Sequence, residues 1–146
     1  FVTVANNIAN SGSYNWTLPY PLDSSVTLRL SARDRTGNLG AGSVSNSFII
    51  DSVPPTITGV ETVGDTLGKV AGVIVHFNEN INTAGINTAH FSYSPAIPLS
   101  ASYITVDAQT VELLFATATG TTALTGTLTY AGNSIHDIAE NLLAGT

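Results

Sequence analysis

The chain has 146 residues, no cysteine, ten acidic side chains and only four basic ones. Disulfides and thiolate metal sites are therefore excluded, and the formal net charge of −6 argues against a phosphate-backbone reader, which needs clustered Lys and Arg. Charged residues are 10% of the chain against 43% hydrophobic ones, far below the usual charged share of about a quarter, so solubility rests on Thr, Ser, Asn and Gly, as is common in secreted repeat proteins.

No apolar run reaches the roughly 18 to 20 residues that span a bilayer. The chain opens directly at Phe1 in β-type sequence with no signal peptide, which reads as an excerpt of a longer protein.

In chain order, Phe1-Val2-Thr3-Val4-Ala5 reads as a short strand and Asn6 to Gly12 as turn chemistry. Tyr14, Trp16 and Leu18 alternate with Asn15 and Thr17, the period of a half-buried strand. Val26, Leu28, Leu30 and Ala32 alternate with Thr27, Arg29, Ser31 and Arg33; Asp34 to Asn38 is a turn, and Phe48-Ile49-Ile50 is a closing strand. Four strands are fewer than the roughly seven of a complete sandwich, so residues 1–50 read as a partial module whose apolar faces need a cover from elsewhere.

Pro54 and Pro55 then interrupt the pattern. Neither carries an amide N–H, so no ladder runs through them, and their fixed φ favours a semi-rigid spacer. Residues 51–55 therefore read as a linker. After it, strands are expected at Thr56 to Val63, Val73 to Phe77, Phe91 to Tyr93, Ile104 to Val106, Val111 to Phe115, and Leu124 to Tyr130 with an extension at Ile135 to Asp137. Leu142-Leu143 looks like the opening of a seventh strand, and Asn82 to Ala89 allows a helical turn at most. The expected fold is all-β, an antiparallel β-sandwich over 56–146 preceded by the partial module.

The residues resemble known repeat families. Ser11 to Pro19, Leu28 to Asp34 and Gly37-Asn38, closing on Phe48-Ile49-Ile50-Asp51, resemble the second half of a bacterial Ig-like or fibronectin-III-like repeat. Pro54 to Ile57, Val73 to Ile81, Leu128-Thr129-Tyr130 and Asp137 to Asn141 resemble an SbsA-type bacterial Ig-like domain, in which Gly usually stands where this chain has Glu140. The resemblance implies an Ig-like sandwich in secreted or cell-surface tandem arrays (stalks, adhesins or S-layer parts), with neighbouring modules as partners and no catalysis. Independently, Asp34 to Asn38 and Asp137 to Asn141 share one spacing about one module apart. Each Asp-x-x-x-Asn can also simply cap its own turn.

Three acids stand out as calcium ligands. In an Ig-like topology the loop after the second strand, the loop before the last strand and the incoming segment share one end. Asp51, Glu79 and Asp137 are then expected to converge, with Asn78, Asn80 and Asn141 offering neutral oxygens to a cation that takes six to eight of them. The plain alternative is solvated acids and turn caps, since no EF-hand or nonapeptide pattern is present.

Other constellations are weaker. His76, His90 and His136 lack the tight spacing of a zinc site, and His76 and His90 fall on outward strand positions. Ser43 in Gly40-Ala41-Gly42-Ser43-Val44 lacks the nucleophile elbow, so no enzyme is expected. Lys69 could form an isopeptide bond with Asn133 or Asn141, Asn15-Trp16-Thr17 matches a glycosylation sequon, and Tyr20 or Tyr103 could serve as glycan-stacking platforms. Three roles follow: a spacer stiffened by calcium, a self-assembling fibre subunit completed by strand addition from copies of itself, and a glycan-binding adhesin module.

Overall fold

The computed structural model describes residues 1–18, 23–94, 97–119 and 125–143. The chain is all-β, with antiparallel strands and no helix longer than a 3₁₀ turn among the described residues. It divides into two compact units, Phe1–Val53 and Pro54–Thr146.

In the first unit β1 (Asp23–Val26) pairs antiparallel with β4 (Phe48–Asp51), and β2 (Arg29–Leu30) with β3 (Ser43–Val44). The strands expected at 1–5 and 14–18 do not form, although their side chains alternate as a strand's would. Alternation specifies a strand only where a partner supplies the ladder and a cover takes the apolar face. None of the described residues of this unit is buried.

The second unit has both partner and cover. Strands β5 (Ile57–Gly64), β6 (Val70–Phe77), β8 (Leu99–Asp107) and β9 (Thr110–Phe115) form one sheet in the order β5-β6-β9-β8. Strands β7 (Phe91–Ser94) and β10 (Thr127–Tyr130) form a second. Valine-rich alternation explains the central pair: Val73 sits opposite Leu113 and Val75 opposite Val111, and all four are buried. They meet Phe91, Tyr93 and Tyr130 of the second sheet in one apolar cluster, with the Tyr93 and Phe115 rings edge to face at 5.6 Å. The pairing of each edge strand of the larger sheet shifts register near both ends, so neither edge is a long regular ladder.

Two 3₁₀ turns, Thr83–Gly85 and Thr88–His90, occupy the stretch where a helical turn was expected. Asn82 and Asn87 cap them by accepting the N–H groups of Ala84 and Ala89. Beyond β10 the chain does not run straight on into the expected extension. The Tyr130 hydroxyl accepts the amide N–H groups of Ser134 and Ile135 at 3.0 and 3.2 Å, so the phenol holds the kink and satisfies two donors that the ladder leaves out. His90 packs edge-on to Tyr130 and lies against Gly132, where a Cβ would stand 2.5 Å from Nδ1. The backbone approaches the imidazole too closely there for any other residue. Leu142 then bridges to His136, and the Leu143 amide donates to the Ile135 carbonyl, so an isolated bridge stands where a seventh strand was expected to open.

One loop design occurs three times among the described residues. In Asp34–Asn38 the first residue's N–H donates to the fifth residue's carbonyl (3.0 Å), and the fourth residue's N–H donates back to the first carbonyl (3.1 Å). Asp65–Lys69 repeats this at 2.7 and 3.0 Å, and Asp137–Asn141 at 3.1 and 3.4 Å. In each, the leading aspartate's Oδ1 accepts the fifth residue's N–H at 2.8 to 2.9 Å. This is a type I turn closed by a bulge whose fourth residue needs positive φ. Gly37 and Gly68 supply it at 95° and 72°; Glu140 adopts it at 70°.

A side chain in that region costs about 1–2 kcal/mol that glycine avoids. Glu140→Gly should therefore raise the melting temperature of the second unit by several degrees, read by thermal denaturation. An unchanged or lower value would contradict the geometry at position 140.

Candidate functional site

Within the second unit, Asp137 and Glu79 are brought together. Asp137 is 1% exposed and bridges backbone to backbone with Ile81, while half-buried Glu79 sits just beyond β6. Each offers a carboxylate oxygen, and the two oxygens lie within 4.8 Å of one another. Two carboxylates this close repel unless a cation or proton donors intervene, and part of the donor set is visible. The Asn141 side-chain amide donates to Asp137 Oδ2 at 2.8 Å and its backbone N–H to Oδ1 at 2.9 Å. The Asn78 amide donates to Glu79 Oε1 at 3.2 Å, while its own oxygen accepts the Thr56 N–H at 2.6 Å. Asn78 thus ties the start of the unit to the loop that carries Glu79.

The expected calcium ligands are placed as follows. Glu79, Asp137 and Asn141 share one end of the second unit, with Asn141 already a partner of Asp137. Asp51 closes β4 in the first unit, half-buried, and its Oδ1 accepts the Val53 N–H at 3.1 Å. Asn80 is exposed. Hard divalent cations prefer such oxygen-only surroundings.

The histidines occupy three separate settings. His76 Nε2 lies 3.6 Å from Glu61 across β5 and β6. His90 belongs to a 3₁₀ turn rather than the strand expected there, with Nδ1 3.2 Å from the Ser134 hydroxyl. His136 Nδ1 lies 3.0 Å from the Asp137 carbonyl and 3.7 Å from Glu140. Among the described residues no histidine joins a group of metal-ligating side chains. Ser43 lies in β3, in the unit that contains no histidine. Lys69 closes its loop immediately before β6, and Asn141 turns its amide to Asp137. Tyr103 is half-buried and donates its hydroxyl to the Thr83 carbonyl at 2.9 Å, which fixes its ring against the fold. Tyr20 lies outside the described residues. The sequence reading missed Asp65, because Lys69 hides the Asp-x-x-x-Asn signature that the backbone nonetheless repeats.

No family model, curated protein or solved structure matches the chain.

The exposed copy of the loop shows how the design treats its aspartate. The Asn38 side-chain amide and the Thr36 hydroxyl donate to Asp34 at 2.8 Å each, and with the loop N–H groups they hold its carboxyl down at about 2 from the ordinary 3.8. A folded pKa below the unfolded one means that the bonds' contribution is complete above the ordinary carboxylate range and is lost as pH falls through about 2. Carbon-detected NMR titration should find the Asp34 midpoint near 2, moving back toward 3.8 in Asn38→Ala. A wild-type midpoint at 3.8 would refute the donor arrangement.

Proposed function

We propose that this chain is a non-catalytic structural segment of a secreted or cell-surface bacterial repeat protein, an Ig-like spacer module preceded by part of another. The observation that carries the reading is strand order. The sequence β5-β6-β9-β8 in one sheet, with β7 beside β10 in the other, corresponds to strands A-B-E-D and C-F of a constant-type Ig sandwich. The buried aliphatic and aromatic layer between these sheets suits a module whose work is to hold its shape under tension. The sequence resemblance to SbsA-type domains agrees with that order.

Calcium belongs to the proposal as the ion that Glu79 and Asp137 would share, with Asn141 as a neutral oxygen donor. The sequence adds Asp51 of the first unit to this set, and Asp51→Asn tests that addition separately. An ion that binds only the folded form stabilises by mass action, by about 2.7 kcal/mol at a hundredfold excess over Kd.

Single-molecule pulling in calcium and in EDTA tests both parts. Residues 54–146 should open in one step of about 30 nm, estimated from ~3.6 Å per extended residue. The opening force should be higher in calcium, and Glu79→Gln should remove that difference. Equal forces in calcium and EDTA would eliminate the ion and leave the spacer; gradual extension without a discrete step would eliminate the spacer.

A further inference from the structure

Pro54 and Pro55 open the second unit and carry no amide N–H. Thr56 therefore supplies the first backbone donor that can hold the entering chain, and this donor goes to a side chain. The Thr56 N–H donates to Asn78 Oδ1 at 2.6 Å, while the Asn78 N–H donates back to the Thr56 carbonyl at 3.1 Å. A carboxamide has one accepting and one donating end. The donating end of Asn78 is held on Glu79 Oε1 at 3.2 Å, which keeps the oxygen turned to Thr56.

Behind this pair the attachment is less regular. β5 lies at the edge of its sheet and has no fully buried residue, and its pairing with β6 shifts register between Ile57 and Gly59. Val60 and Thr62 stand opposite Val75 and Val73, so losing β5 bares the edge of the buried strand β6 and, with it, the apolar layer. A pull arriving through Pro54 and Pro55 meets the two Thr56–Asn78 bonds before it loads the first ladder pair, Ile57 with Phe77.

We propose that the reciprocal Thr56–Asn78 pair is the mechanical latch of residues 54–146, and that it sets how fast the unit opens when tension arrives through the entering chain. The inference deepens the spacer reading and rests on it, but it does not involve calcium. Thr56 and Asn78 are both exposed, so water takes over their bonds once they part, and their worth at equilibrium is small. Their effect comes from standing first in the line of load, because forced opening follows the unfolding rate.

The chain has no cysteine, so pulling handles can be attached through single introduced thiols. Two pulling axes share a handle at the carboxyl end, and both are run in EDTA. One pulls through Val53→Cys, across the latch; the other pulls through Thr66→Cys in the Asp65–Lys69 loop beyond β5, and bypasses it. At constant force, Asn78→Ala should open about fivefold faster than the parent along the first axis, as expected for one lost hydrogen bond. Along the second axis the two should open at the same rate, and a discrete step there shows that the variant is folded. A bond that only added general stability would accelerate both axes alike, and that result would overturn the latch. Equal rates for parent and variant along the first axis, with discrete steps, would overturn the latch and leave the spacer. Gradual extension of the parent along the first axis would overturn both.

Discussion

The second unit depends on the apolar layer between its two sheets. Val73, Val75, Val111 and Leu113 supply one side, and Phe91, Tyr93 and Tyr130 the other. Burying a side chain of this kind is worth about 1.5–3 kcal/mol, and no other described part of the chain gathers so many. The polar features of the unit rest on this layer. The Tyr130 ring is held within it, and its hydroxyl turns the chain beyond β10 toward the loop that carries Asp137. The acidic pair is thus placed by packing, not by attraction between its own members.

The repeated aspartate loop shows one local solution used in three settings. Its backbone geometry is nearly the same whether the aspartate is exposed, as Asp34 is, or buried, as Asp137 is. Burial changes what the carboxylate can do. Asp34 is exposed to solvent, and donors within its own loop serve both of its oxygens. At Asp137 water is excluded, and Glu79 brings a second carboxylate. The Glu140 backbone adds strain in the same loop, which the flanking pairs of His136 with Leu142 and of Ile135 with Leu143 over-determine.

Much of the second unit was legible because its alternation is backed by burial. Val73 to Phe77 and Val111 to Phe115 became the buried strands that their pattern called for. Tyr14, Trp16 and Leu18 alternate just as cleanly and form no strand, since pattern carries no information about whether a partner is present. His90 was assigned to a strand surface because periodicity places a side chain by parity, whereas the Asn87 cap turns the backbone just before it. In the candidate site, Glu79 and Asp137 could be brought together by topology from the sequence, and Asn141 by spacing. The role of Asn78 as a strut to Thr56 could not, because it depends on a backbone N–H whose direction no residue type announces.

Native-state hydrogen exchange at low protein concentration tests most directly whether that layer makes residues 54–146 a self-sufficient module. The amides of Val73, Val75, Val111 and Leu113 should exchange only through global unfolding of the unit and be the slowest in the chain, with those of residues 1–18 exchanging orders of magnitude faster. Comparable exchange in the two segments, or rapid exchange in β6 and β9, would contradict the account.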